Sequence, residues 1–240
     1  MDVEGFWSGG NWIAPEADLF DADLRGHSLF RAELFGAYLS GADLTGASLV
    51  LADLTGAYLS KAKLPTANLA YTCLVTADLA EADLADSNLC GAQLDGACLT
   101  GVRLRGANLA YASLRGANLR GANLRGANLY CADLTSANLV GADLTGANFA
   151  SAILACSNRD GVVNEDTIWP DEIAPENAVE DARWALREAW KQVEQKQKEA
   201  EEEPEEEDQA AGSGTRWGGV QRCVINAPMT VTQWKRPDGR

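Results

Sequence analysis

From Leu19 to Leu154 every fifth residue is leucine, 28 consecutive positions with Phe149 as the one substitute and no insertion anywhere. Two residues before each stands Ala, except at His27, Thr72, Ser87 and Val102. The residue between them is most often Asp or Asn, giving units such as Ala107-Asn108-Leu109 and Ala142-Asp143-Leu144. An α-helix needs apolar positions at a period of 3.6 and a flat strand at 2, so a period of five held for about 140 residues excludes both. It fits a short extended segment followed by a turn, with Ala and Leu, two apart, on one side and the residues flanking Leu on the other. Four such units close a square coil. Gly recurs at the second position after Leu (Gly36, Gly41, Gly46, Gly116, Gly121, Gly126), where a missing Cβ suits a tight corner.

This A(D/N)LXX pattern over residues 17–156 resembles the pentapeptide-repeat family. The resemblance implies an all-β solenoid, a right-handed quadrilateral β-helix of four units per turn. Its length here would be about seven turns, a rod of about 34 Å at strand spacing. The interior becomes a ladder of Leu beside a ladder of Ala. Each buried Leu contributes on the order of 1.5–3 kcal/mol gross, spread along the rod as in other solenoids.

The flanks differ in kind. Residues 1–16 hold Phe6, Trp7, Trp12 and Ile13 and read as a cap over the first coil, since an open solenoid end exposes apolar side chains and unpaired strand edges. Residues 157–174 read as the C-terminal cap and connection. Over residues 175–200 the pattern turns helical, with Val179, Ala182, Leu186, Ala189 and Val193 on a 3–4 spacing. That apolar stripe would pack on the coil end or against the same helix of a second subunit. Residues 201–214 form an acidic and Gly-Ser linker. Residues 215–240 carry five bases against Asp238 alone and read either as a disordered tail or as a docking segment.

Units twenty residues apart share a face, so the surface can be read in columns. The face centred on Leu29, Leu49 and Leu69 contains no acid; its column before Leu is Ser28, Ser48, Asn68, Asn88, Asn108, Asn128 and Asn148. Its outer columns include Phe30, Val50, Leu51, Tyr71, Tyr111 and Tyr130. Two readings stay open: a contact surface for a partner or for the C-terminal segment, or the plain frequency of Asn and Ser at that motif position. Charge also varies along the axis. Residues 18–95 hold 11 acids and 4 bases, whereas residues 96–156 hold 2 acids and the 5 bases Arg103, Arg105, Arg115, Arg120 and Arg125. Those arginines read as an anion or acidic-partner patch, or as solvated surface.

The whole chain has a net charge of -15, which speaks against direct binding of nucleic acid. No apolar run approaches the roughly 20 residues that span a bilayer, and no secretory n-region or h-region opens the sequence, so the expected location is the cytoplasm. Six Cys without a C-x-x-C pair and one His give little material for a metal site. With no phosphate loop and no nucleophile placed by a motif, no enzymatic activity and no cofactor are expected. The expected role is protein binding or scaffolding by a rigid rod, either with an unidentified protein or within a homodimer. Members of the resembled family that imitate duplex DNA bind gyrase and other type II topoisomerases and protect them from poisons. That implied alternative wants acids along the rod, whereas residues 18–156 carry 13 acids and 9 bases.

Overall fold

The computed structural model describes residues 5–8, 10–163, 165–170 and 191. The stripe Val179, Ala182, Leu186, Ala189 and Val193, the acidic linker and the basic segment 215–240 lie outside the described residues. Every fifth residue from Asp18 to Asn148 pairs in parallel with the residue twenty farther along, the last partner being Ile168. Four five-residue units therefore make one coil, and each coil hydrogen-bonds to the next. Around Leu49, for example, the Leu49 amide donates to the Asn68 carbonyl at 2.7 Å, and the Asn68 amide donates back to the Ala47 carbonyl at 2.9 Å.

Each corner is a tight turn closed within its own coil, as where the Ala52 amide donates to the Leu49 carbonyl at 3.0 Å. The second residue after Leu is left-handed at every corner from Glu16 to Asp166, whether it is Gly or not. A closed four-residue turn whose third residue alone has positive φ is a type II turn. Glycine meets that demand without strain at Gly116 (φ 65), whereas Leu51 (φ 61) and Tyr71 (φ 57) meet it despite their side chains.

The core is the ladder read from the sequence. Leu19 through Leu144 and Phe149 are buried, with the Ala column beside them from Ala32 to Ala147. Polar residues in the Ala column are satisfied locally: Thr72 Oγ1 donates to the Leu49 carbonyl and Ser87 Oγ to the Leu84 carbonyl, each at 2.7 Å. The His27 ring is half-buried, with Nδ1 3.1 Å from the Arg25 carbonyl.

Two features mark the ends of the coil. Strands β1 (Phe6–Ser8) and β2 (Asn11–Ile13) form an antiparallel hairpin ahead of the first coil, and Ile13 joins the main core. At the other end, pairing runs past residue 156, where the leucine period stops, through Asn158, Val163 and Ile168. Stacking depends on backbone hydrogen bonds rather than on Leu, so the ladder tolerates Arg159 and Trp169 at Leu positions. Trp169 stacks on Phe149 with ring centroids 5.5 Å apart, and the Arg159 guanidinium lies 5.4 Å from the Trp169 ring. Among the described residues no helix is long and apolar enough to cross a membrane, and no group of His, Cys, Asp or Glu is arranged to hold a metal ion.

Candidate interaction surfaces

Outward side chains are held in place by the residue before Leu. In ADLT units its carboxylate closes the turn twice: Asp143 Oδ1 accepts from the Thr145 amide at 3.0 Å and from Thr145 Oγ1 at 2.6 Å. The same pair of bonds recurs at Asp43–Thr45, Asp53–Thr55 and Asp133–Thr135. The hydroxyl bond, then the amide bond, holds the Asp43 and Asp143 carboxyls below the usual carboxylate value, against the partial desolvation of each. Asn does the same work with its carbonyl oxygen, as Asn108 does for the Ala110 amide at 3.2 Å. Much of the polar pattern is thus turn chemistry.

On the neutral face the asparagines also bond to one another along the axis. Nδ2 donates to the Oδ1 one coil back from Asn88 to Asn68, Asn108 to Asn88, Asn128 to Asn108 and Asn148 to Asn128, at 3.0–3.3 Å. The outer residues chosen there from sequence divide. Val50 and Tyr71 are buried in a small apolar cluster with Ala70, and Phe30 and Leu51 pack half-buried against it. The Tyr71 ring occupies the space above Gly91, and burial pushes its hydroxyl pKa up. Cys90, buried and raised to about 12 by desolvation, forms a second cluster with Ala110, against which Tyr130 packs. Tyr111 meets Tyr130 edge-on at 5.6 Å and is 39% exposed. Of the six residues, Val50 and Tyr71 offer almost no surface; alternation says which way a side chain points and not what covers it.

The arginines also separate. Arg103 pairs with Asp83 one coil back at 3.2 Å, Arg115 with Asp133 at 3.7 Å and Arg125 with Asp143 at 3.2 Å. These exposed pairs contribute little stability, but they offset the positive field that the sequence places there. Arg105 and Arg120 are exposed and make no ion pair among the described residues.

A different surface carries exposed aromatic rings. On the face centred on Leu39 and Leu59, Tyr38 and Tyr58 stand one above the other with rings 5.1 Å apart and 6° from parallel. They are 51% and 46% exposed, and Phe20 on the same face is 65% exposed. The signal for it in the sequence is two tyrosines twenty residues apart in one outward column.

Known proteins supply a context for this geometry. A family model described as pentapeptide repeats matches in 8 copies, over residues 32–70, 72–109, 103–139 and 127–158. Among solved structures, the chain is similar to Rfr23, a pentapeptide-repeat protein of the cyanobacterium Cyanothece 51142, at 38% identity and a TM-score of 0.38. That match covers 38% of this chain and 63% of Rfr23, so the chain spans less than two thirds of the relative's length. HetL, a pentapeptide-repeat protein involved in heterocyst differentiation regulation in Nostoc sp. strain PCC 7120, is 35% identical, with 66% of this chain and 85% of HetL covered and a TM-score of 0.37. QnrB1, a plasmid-mediated fluoroquinolone resistance protein, is 19% identical over 62% of this chain and 84% of its own, with a TM-score of 0.28. No curated protein matches the chain.

Proposed function

Because this chain belongs to the pentapeptide-repeat family, we propose that it is a non-enzymatic binding or scaffold protein that presents fixed columns of side chains to another protein. The carrying observation is the unbroken parallel pairing from Asp18 to Ile168. Backbone bonded at every coil holds outward residues in register at strand spacing, so recognition groups need little ordering when a partner arrives. The finer reading comprises right-handed winding over about seven turns, a C-terminal helix whose stripe packs on the coil or pairs two subunits, and a cytoplasmic location. Affinity capture from the native cell, with the full chain and with a chain ending at Ala211, tests the role. A reproducible protein partner of the full chain is expected; capture that matches a bare-matrix control discards the scaffold reading.

The acidic half of the coil favours a second reading, protection of gyrase by imitation of duplex DNA, because residues 18–95 carry a net charge of -7. Several of those acids also close turns, and residues 96–156 are net +3, so the charge does not run the length of the rod. Gyrase supercoiling with and without a quinolone decides it: no effect at micromolar protein discards mimicry.

A further inference from the structure

The stacked tyrosines are flanked by an acid on each side in their column, which runs on beyond Asp78 through Cys98. Successive parallel pairs place Asp18, Tyr38, Tyr58 and Asp78 one above another along the axis. Each aspartate already gives one oxygen to its turn, Asp18 to the Phe20 amide at 3.2 Å and Asp78 to the Ala80 amide at 3.0 Å. Among the described residues its second oxygen makes no hydrogen bond. Beside the stack, the Asp21 carboxylate lies over Gly41, where a Cβ would displace it. Phe20 extends the apolar surface on that side. The nearby cation Lys61 is paired with Glu81 across one coil at 3.9 Å, which offsets its charge.

Each ring covers one face of the other, and the outer faces, next to carboxylates in the column, are the chemistry that receives a guanidinium or an ammonium, through ring attraction and charge together. Asp18 and Asp78 are three coil steps apart, about 14 Å at strand spacing, close to the span of four residues in an extended chain. The surrounding half of the coil is net -7, which draws a cationic ligand toward the patch.

We infer that the Asp18–Tyr38–Tyr58–Asp78 column, with Phe20 and Asp21 beside it, is a docking site for an extended arginine- or lysine-bearing segment of another protein. The inference rests on the binding-protein reading and gives that partner a chemistry. In the bland alternative the tyrosines stack only to support neighbouring coils, as cross-strand pairs do.

Fluorescence anisotropy of labelled nona-arginine, with nona-glutamate as the control probe, tests the site on the full chain near physiological salt. Binding of nona-arginine and none of nona-glutamate is expected. Y38S/Y58S should weaken it about tenfold, Y38F/Y58F should leave it unchanged, and D78N should weaken it about threefold. E33Q, an acid of the same half on another face, should stay within twofold. If the double serine variant does not melt like the native protein, Y38L serves as the folded, non-aromatic replacement.

Three results overturn the inference. Native affinity in the folded non-aromatic variant reduces the tyrosines to structure. Equal losses in E33Q and D78N reduce binding to general charge. Nona-arginine binding that appears only once residues 215–240 are removed assigns the column to the chain's own basic segment. In each case a partner still captured by the full chain leaves the broader scaffold reading standing, whereas failed capture removes that reading independently.

Discussion

A left-handed backbone is demanded at every corner, so a corner's cost depends on what its side chain meets. At Gly116 (φ 65) an added Cβ meets nothing within 4 Å, and at Gly91 (φ 68) it would lie 2.6 Å from Cε1 and 2.7 Å from Cδ1 of the Tyr71 ring. Gly116→Ala should therefore lose only the left-handed penalty, about 1 kcal/mol, whereas Gly91→Ala should lose that and the seating of Tyr71, at least about 2 kcal/mol in all. Urea unfolding of the two variants measures the difference; equal midpoints would remove Tyr71 packing as the cause. Turn aspartates make a separate prediction. The folded Asp143 carboxyl titrates below its ordinary 3.8, so its stabilising contribution is present above that value and is lost as pH falls through the lower folded value. Exposure keeps that contribution small. Thr145→Val removes the largest cause, and carboxyl NMR titration should show Asp143 moving up toward the ordinary value.

At the scale of the element, the asparagine ladder sets two positions with the same turn bond apart. Asn123 supports the Arg125 amide at 3.2 Å; Asn108 supports the Ala110 amide at 3.2 Å and also bonds to Asn88 and Asn128. Asn108→Ala should cost about 1–2 kcal/mol more than Asn123→Ala in thermal or urea unfolding, the difference reporting the ladder. Equal losses would mean that solvent replaces those bonds without penalty. The periodicity made the inward Leu and Ala legible because water excludes them at a fixed period. It also made the glycine corners legible, but not that Leu51 and Tyr71 adopt the same backbone, since closure of the coil imposes that conformation whatever the residue. Nor did it reveal the units beyond residue 156, because backbone pairing continues where Leu has ceased. For Tyr38 and Tyr58 column membership was legible, but the stacking of the two rings and their exposure depend on the neighbours in space.

On the scale of the molecule, the chain carries two periods at once, five for what points inward and twenty for what lines up outside. The sequence offers a way to separate them, because Gly116–Arg120 and Gly121–Arg125 are the same five residues, GANLR. Deleting residues 116–120 leaves the local sequence and the inward Leu-Ala ladder in step, but it turns every later outward column by one face. Asn128 then stands above Arg103 instead of Asn108, and the bonds from Asn128 to Asn108 and from Asn138 to Asn118 lose their partners. Deleting residues 101–120 removes a whole coil and places Asn128 above Asn88, keeping the ladder in register. Solenoid stability is roughly a sum over coils and their interfaces, so chain length alone favours the five-residue deletion. If outward columns contribute as the ladder and the cross-coil pairs imply, the twenty-residue deletion should lose no more stability than its missing coil predicts, and the five-residue deletion more than its missing unit predicts. The five-residue deletion should still fold, with a urea midpoint well below that of the intact chain. A five-residue deletion as stable as the intact chain would show that the inner period alone holds the rod, and that the outer columns are free to be spent on recognition.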